Sequence, residues 1–278
     1  MKYPEVQFLY KYMPWNDFTR ISIEEGNFWF SSPAKFNDPI DCGISLNTIG
    51  NTPLLTSLIA TGFSDIGKAT GMAIKDPSQN SSIANSIQQL ASKFIRNTEK
   101  LGSELSEANL DHVAGADLKD RLTSAGILSL SELEDNILMW SHYAQQHQGI
   151  CVEFRRTSSN ILGAPDYTLP VRYSIKAPTI DAISYRTAEP EERNEIELSL
   201  VLTKAADWTY EREWRIIKHG CANSTQPLGC KIESIILGLR SEEATRQHIQ
   251  LLAEREGFKV KRASLKPNEF GLRIDQIQ

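Results

Sequence analysis

The C-terminal part of the chain carries the pattern that most constrains the fold. An apolar run from Ser234 to Leu237 ends at Gly238, and helical spacing follows from Ser241 to about Glu256. Acidic residues fill the first turn of that segment, and Gly257 separates it from a second apolar run, Phe258 to Arg262. Acidic first turns and terminal glycines are typical helix boundaries, so this unit is strand, helix, strand.

The beginning of the chain repeats this mixture of elements. We predict a strand from Phe8 to Tyr12, a helix from Phe18 to Glu25 and a strand from Asn27 to Ser31. Further strands are expected at Ile127 to Leu130 and at Ile150 to Phe154. The fold expected is α+β, with a split and mostly antiparallel sheet.

A polar and helical insertion is expected at about residues 47–122. Ser, Thr, Gly and Asn dominate its first part, and helical spacing then begins near Ile83. The remainder supplies enough apolar residues for one core. We therefore treat residues 1–278 as a single domain with this insertion.

Charge and hydropathy exclude several classes of protein. With 30 Lys and Arg against 35 Asp and Glu, the net charge is −5, so no global positive field attracts nucleic acid. No apolar run is long enough to span a bilayer, and the start lacks a signal-peptide pattern. The four cysteines lack metal-site or redox spacing, so a cytoplasmic protein with reduced thiols is expected.

The segment from Trp208 to Arg215 is the first candidate for chemistry. Glu211 and Glu213 are two apart at the entry to a predicted strand and would share a face. Paired carboxylates can divide into an acid and a hydrogen-bond acceptor, or can stabilise a cation. They can equally be the solvated face of an edge strand anchored by Trp208 and Trp214, and spacing leaves both interpretations open.

Two other segments bring polar groups beside aromatic rings. Ser31, Asn37 and Asp38 surround Phe36 after the second strand, either as ordinary turn chemistry or as part of a cofactor pocket. A helix is expected from about Asn136 to Gln148, ended by Gly149. Its segment Leu138 to Ala144 contributes Trp140, His142 and Tyr143, which belong either to the core or to a pocket wall. No metal is expected, since His142 and His147 are five apart rather than four.

An ordered series of motifs resembles the bacterial domain of unknown function 2971 family. The series comprises Leu9-Tyr10-Lys11-Tyr12, Phe30-Ser31-Ser32-Pro33, Phe36-Asn37-Asp38-Pro39, Leu128-Ser129-Leu130, Met139-Trp140-Ser141-His142-Tyr143, Gly149 to Phe154, and Tyr210 to Arg215. It runs from about Phe8 to near Leu265. The resemblance indicates a family but implies no activity.

A second resemblance, to the ADP-ribosyltransferase pattern, does imply an activity. It places Ser31 in a serine-bearing strand, Glu213 as the catalytic glutamate and Glu211 as the accessory one. Lys11 stands where that pattern has Arg or His, and Ser32 stands where it has Thr. NAD is the substrate that this resemblance implies, and a carboxylate would stabilise the oxocarbenium-like state.

We therefore expect an enzyme that cleaves the nicotinamide–ribose bond of NAD, in a toxin or phage-defence setting. The catalytic residues expected are Glu213 and Glu211, and the NAD-binding residues are Tyr10, Lys11, Tyr12, Ser31, Asn37, Asp38, Trp140, His142 and Tyr143. The acceptor, protein or nucleic acid, stays open, and no membrane partner is expected.

Two alternatives belong to other classes. The first is a binding module for nucleic acid or protein, with aromatic stacking platforms and a basic patch at Lys259, Lys261, Arg262 and Lys266. The second is a nuclease in which Asp38, Glu153, Glu211 and Glu213 hold Mg²⁺.

Overall fold

A computed structural model describes residues 2–42, 45–46, 89, 107–181, 184–185 and 188–277. The chain forms two compact units. The first unit comprises Met1–Gly43, Arg121–Ala177 and Leu198–Gln278, and the second comprises Ile44–Asp120 and Pro178–Glu197. All residues of the candidate site belong to the first unit.

The described helices are α1 (Asp17–Glu25), α2 (Glu107–Ser124), α3 (Ile137–Tyr143), α4 (Pro190–Val201) and α5 (Glu243–Glu256). The strands are β1 (Phe8–Met13), β2 (Asn27–Phe30), β3 (Ser45–Leu46), β4 (Gly126–Ser131), β5 (Ile150–Arg155), β6 (Thr168–Pro170), β7 (Arg172–Ser174), β8 (Thr179–Ile180), β9 (Thr203–Ala205), β10 (Glu213–Lys218), β11 (Ser224–Pro227), β12 (Ile232–Leu237), β13 (Lys259–Leu265) and β14 (Leu272–Gln276). A 3₁₀ helix, Ala206–Glu211, leads into β10.

The first unit is built on one open sheet of eight described strands. Their order is β14-β13-β12-β5-β1-β4-β10-β6, and each neighbouring pair is antiparallel except β12 with β13. The parallel pair is joined by α5, as the strand–helix–strand pattern predicted. The α+β class and the mostly antiparallel sheet are confirmed.

The strands alternate between two buried faces. Leu9, Val152 and Trp214 belong to a large apolar cluster on one face, whereas Tyr10 and Cys151 pack in a smaller cluster on the other. Side chains that face each other across a ladder share a face. A row of mainly polar residues therefore crosses the second face from Glu213 through Ser131, Tyr10 and Glu153 to Ser234.

Strands β1 and β4 separate almost as soon as they meet. Strand β1 pairs with β5 at all six of its residues, but it pairs with β4 only at Tyr10–Ser131. Beyond this pair, the Lys11 ammonium reaches across to the Ser129 carbonyl at 2.9 Å. The expected split therefore lies inside the continuous sheet, between β1 and β4.

The helix expected from Asn136 to Gln148 is shorter than predicted. Asn136 caps α3, but Gln145, Gln146 and His147 all adopt positive φ angles, so the helix ends at Tyr143. Gly149 closes the segment: a Cβ on it would lie 2.2 Å from the Met13 carbonyl oxygen. Close backbone packing, rather than helix termination, requires that glycine.

The second unit contains a short pair of strands. Strands β3 and β8 form a parallel pair in this unit, and the Tyr185 hydroxyl donates to the Glu197 carboxylate at 2.7 Å.

Most of the expected insertion at 47–122, including the helix predicted near Ile83, lies outside the described residues. Among those that are described, no helix combines the length and apolarity that a membrane crossing requires.

Candidate active site

The split between β1 and β4 opens into a cleft of about 620 Å³ within the first unit. This volume is in the range of small-molecule sites. The expected site residues that line the cleft are Tyr10, Lys11, Tyr12, Ser31, Asn37, His142, Tyr143, Glu211 and Glu213. Asp38 and Trp140 are not among its lining residues. Segments far apart in sequence thus converge on one cavity.

A buried lysine joins the two glutamates. The Lys204 ammonium lies 2.5 Å from Glu211 Oε2 and 2.9 Å from Glu213 Oε2, and Asp41 Oδ2 is 3.5 Å away. The side chains of all four residues are at most 6% exposed. This burial contradicts the edge-strand interpretation of Glu211 and Glu213, because β10 lies between β4 and β6.

Arg215 completes the cluster from the same strand as Glu213. Its Nε donates to Glu213 Oε1 at 2.8 Å, and its Nη2 donates to Asp41 Oδ2 at 2.6 Å. Its Nη1 donates to the Val201 carbonyl. Three carboxylates therefore share two cations, Lys204 and Arg215, which leaves the ionised cluster with one formal negative charge beside the cleft.

The two glutamates differ in how many acceptor positions are occupied. An ionised carboxylate has about four acceptor positions. Glu213 receives three hydrogen bonds from Arg215 and Lys204 and interacts with the Ser129 side chain. Glu211 receives one from Lys204 and one, at 2.6 Å, from the Tyr143 hydroxyl. Among the described groups, then, Glu211 keeps acceptor positions for a ligand.

Their pKa values also move in opposite directions. Burial opposes ionisation of Glu213, but Arg215 and Lys204 outweigh it and lower the pKa of Glu213 to about 2. Burial raises the pKa of Glu211, although Lys204 and Tyr143 act against the change. Glu213 is therefore a permanent anion at neutral pH, while Glu211 is the carboxyl group that exchanges a proton more readily.

A backbone bend between the glutamates brings both to Lys204. Glu211 ends the 3₁₀ helix rather than lying in the strand, and Arg212 adopts the left-handed conformation with φ of 46°. The Arg212 side chain turns outward and pairs with Glu132 at 2.7 Å. The shared direction of the carboxylates therefore comes from this bend, not from strand alternation.

Lys11 lines the cleft from β1. Burial lowers the pKa of the Lys11 ammonium, an effect that Glu213 partly opposes. In the described part of the chain it has no carboxylate within salt-bridge distance, and it donates to a backbone carbonyl. A half-buried amine without a direct ion-pair partner is suited to an anionic ligand group.

The aromatic residues expected to stack on NAD take different places. Trp140 is fully buried, packs edge-on against Tyr12 and donates to the Glu134 carbonyl, so its expected ligand contact is wrong. The Tyr12 hydroxyl donates to the Leu133 carbonyl. Tyr10 and Tyr12 border the cleft from largely buried positions. The rings at the cleft that solvent reaches are Phe36 and Tyr143, which are partly exposed, and Phe18, Trp29 and His142, which are exposed.

The Asn37–Asp38 turn combines both of its expected roles. Asp38 Oδ1 accepts from the Ile40 amide at 2.9 Å, which is turn chemistry, and its Oδ2 accepts from Trp208 Nε1 at 2.7 Å. Asn37 lines the cleft and interacts with the Tyr143 side chain. Asp38 therefore supports the cleft from outside it.

The carboxylates proposed for a magnesium site do not meet. Glu153 accepts from Tyr10 and Ser234 and pairs with Lys261 at 2.8 Å, in a different cluster from Glu211. No group of three or more potential metal ligands occurs in the described residues. Lys261 is thus half-buried and ion-paired, which divides the expected basic patch. Lys259 and Lys266 pair with Glu233 and Asp135.

Sequence reasoning missed Lys204, Asp41 and Tyr173. The Tyr173 hydroxyl accepts from the Glu213 amide at 2.7 Å. Lys204 precedes Glu211 in an unremarkable stretch, and no spacing rule connects these residues. The fold brings Tyr173 on β7 and Lys204 on β9 next to Glu213 on β10.

A family model matches residues 139–216, which contain Tyr143, Lys204, Glu211, Glu213 and Arg215. It describes a protein of unknown function, DUF2971. This confirms the resemblance to that family. Searches of curated proteins and of solved structures each found no match.

The DUF2971 match covers part of the cleft lining. It contains the ion-paired glutamates, whereas Lys11, Ser31 and Asp41 precede it in the chain. The rest of the lining is therefore supplied mainly by β1, by β4 and by the segments on either side of and within α1 and β2.

Proposed function

We propose that the cleft binds NAD and cleaves its nicotinamide–ribose bond, as the resemblance to ADP-ribosyltransferases implies. The observation that carries the proposal is that a half-buried amine, Lys11, and a net negative carboxylate cluster line one cleft. A dinucleotide has both complementary features, since it carries an anionic pyrophosphate and develops positive charge at the reacting ribose.

The carboxylate cluster supplies the electrostatics of bond cleavage. As the bond breaks, the electron pair moves to the nicotinamide nitrogen and positive charge appears on the ribose. The net charge of −1 shared by Asp41, Glu211, Glu213, Lys204 and Arg215 stabilises that charge. Fixed, buried charges are effective because they need not reorganise during the reaction.

The contacts favour Glu211 over Glu213 as the glutamate that touches the ribose. Glu211 has acceptor positions free for a ribose hydroxyl, whereas Glu213 is occupied by Arg215 and Lys204. Glu213 then acts as a positioning residue, which fixes Lys204. The two roles are thus exchanged relative to the sequence-based expectation.

Release of labelled nicotinamide from NAD tests the proposal on the purified full chain. We expect Glu211→Gln to lower kcat by about a hundredfold or more, a loss in the range of general catalytic groups. Glu213→Gln should lower activity together with folding stability, because it leaves Arg215 partly unpaired. Glu233→Gln, which changes a partly exposed carboxylate on β12, should retain full activity.

Two results would sink the proposal. The first is that the folded wild-type chain neither releases nicotinamide nor gains thermal stability from NAD. The second is that Glu211→Gln cleaves NAD at the wild-type rate. Circular dichroism of each variant separates loss of chemistry from loss of structure.

The metal-dependent nuclease is less well supported, because Lys204 and Arg215 occupy the positions where a cation would bind Glu211 and Glu213. Nucleic-acid cleavage that a chelator abolishes would favour it over the NAD proposal.

A further inference from the structure

Three aromatic rings form a row, which we call the aromatic row: His142, which lines the cleft, and Tyr210 and Trp208, which are not among its lining residues. The ring centres of Trp208 and Tyr210 are 5.9 Å apart, and those of Tyr210 and His142 are 6.3 Å apart. His142 is exposed, and the other two rings are partly exposed. The surfaces of these three rings are thus available to a ligand.

The aromatic row is held in place by contacts on its inner side. The Trp208 indole donates to Asp38 at 2.7 Å, and the Lys204 ammonium lies 5.1 Å from the centre of its ring. The Asn136 amide donates to the Tyr210 carbonyl at 2.9 Å. A ligand that stacks here therefore meets rings that are already ordered, so less conformational entropy is lost on binding.

The aromatic row ends at the carboxylate that we assign to the ribose. Tyr210 directly precedes Glu211, and His142 directly precedes Tyr143, whose hydroxyl donates to Glu211 at 2.6 Å. A flat group held on the row is thereby brought next to Glu211. This is where a second substrate must approach a ribose bound in the cleft.

We propose that the aromatic row binds a nucleobase and that this base accepts the ADP-ribosyl group. The inference rests on the proposed NAD chemistry and names its acceptor. Adjacent rings of the row are tilted by 43° and 38°, so a base stacks on one ring at a time. Stacking of a base on an aromatic side chain contributes about 1–3 kcal/mol without sequence preference.

The transfer balances without a further reactant. A bond forms between the ribose carbon and a nitrogen of the base, and the bond to the nicotinamide nitrogen breaks. The electron pair of the broken bond neutralises the nicotinamide ring. The nitrogen of the base loses one proton, which Glu211 accepts and passes to water.

The inference is tested by measuring transfer of the labelled ADP-ribosyl group from NAD to three separate acceptors. These are single-stranded oligonucleotides, mononucleotides and a mixture of unmodified proteins. Label on the oligonucleotide identifies a base within a strand, and label on the mononucleotide alone identifies a free nucleotide. Trp208→Ala should lower either transfer at least tenfold while nicotinamide release into water continues. Tyr210→Leu serves as a second variant in case Trp208→Ala does not fold.

Tyr167→Ala is the matched control, because Tyr167 is an exposed aromatic residue outside the row and outside the cleft. It should transfer label like the wild type. NAD cleavage with no label on any nucleotide, or with label on protein only, overturns the inference and leaves the proposed function standing.

The base site can also be tested if the proposed NAD cleavage fails. If NAD is not cleaved, anisotropy of a fluorescent oligonucleotide decides whether the row binds bases. Binding that Trp208→Ala weakens at least tenfold supports the base site, and undiminished binding by that variant overturns it.

Discussion

Lys204 Nζ lies 2.5 Å from Glu211 Oε2 in a setting where both side chains are almost fully buried. Removing one member of a buried ion pair costs about 3–5 kcal/mol, because the partner is left as an uncompensated charge. Lys204→Met should therefore lower the free energy of unfolding by about that amount, measured by urea denaturation.

Lys259→Met is the control for that prediction. Lys259 is largely exposed and pairs with Glu233 at 3.6 Å, a kind of surface pair that contributes about 0–1 kcal/mol. If both substitutions lower stability equally, the Lys204 cluster does not have the energetic role assigned to it.

Lowering the pH should destabilise the folded chain through protonation of Glu213. Its pKa is lowered from the ordinary value of 4.5 to about 2 in the folded chain, mainly because Arg215 and Lys204 outweigh burial. The folded state then binds fewer protons than the unfolded state between these values, so this contribution is present above pH 4.5 and is lost toward pH 2. Glu213→Gln should reduce the slope of stability against pH in that window, and an unchanged slope would contradict the assignment.

Tyr143 should set the acid limit of activity. Its hydroxyl hydrogen bond favours the ionised form of Glu211, whose pKa burial has raised. Tyr143→Phe removes that bond, so the acid limb of the nicotinamide-release profile should shift to higher pH, with kcat lowered about tenfold for a lost charged hydrogen bond. Tyr167→Phe, at an exposed position, should leave the profile in place.

Lys11 should act on binding rather than on folding. Its half-buried amine has a carbonyl as its hydrogen-bond acceptor, so Lys11→Met should leave stability unchanged within about 1 kcal/mol or increase it. The KM for NAD should rise about 10- to 100-fold, the effect of losing a charge-assisted hydrogen bond. A stability loss as large as that of Lys204→Met, with an unchanged KM, would argue against the ligand role.

Gly238 should be intolerant of a side chain. A Cβ there would lie 2.2 Å from the His147 carbonyl oxygen and 2.8 Å from that of Gly149. Gly238→Ala should lower stability by about 1–3 kcal/mol, as overpacking does. Gly271→Ala is the comparison, since its nearest neighbour is the flexible Lys266 side chain at 3.2 Å, and thermal denaturation should show the smaller loss there.

Sequence patterns predicted the elements whose signals are local. The strand–helix–strand unit and the alternation of Val152 and Cys151 between faces follow from spacing within a few residues. The early end of α3 does not, because three consecutive residues near Gln146 adopt left-handed conformations that no composition rule requires.

For the site, the sequence located Glu211 and Glu213 but could not establish their burial. Burial depends on charge compensation by Lys204 and Arg215, and Lys204 comes from another segment of the chain. Two carboxylates two residues apart also fit the solvated face of an edge strand, unless the cations that pair with them are known. That is why spacing alone left both interpretations open.

The single pair Tyr10–Ser131 has a mechanical consequence. On one side β1 is held along its whole length by β5, and on the other β4 is held by β10 at all six of its residues. The width of the cleft beside β1 is therefore set by one backbone pair and by the Lys11 hydrogen bond to Ser129. A ligand that takes this hydrogen bond from the Lys11 ammonium would leave the Tyr10–Ser131 pair as the remaining direct link between β1 and β4 in the described sheet.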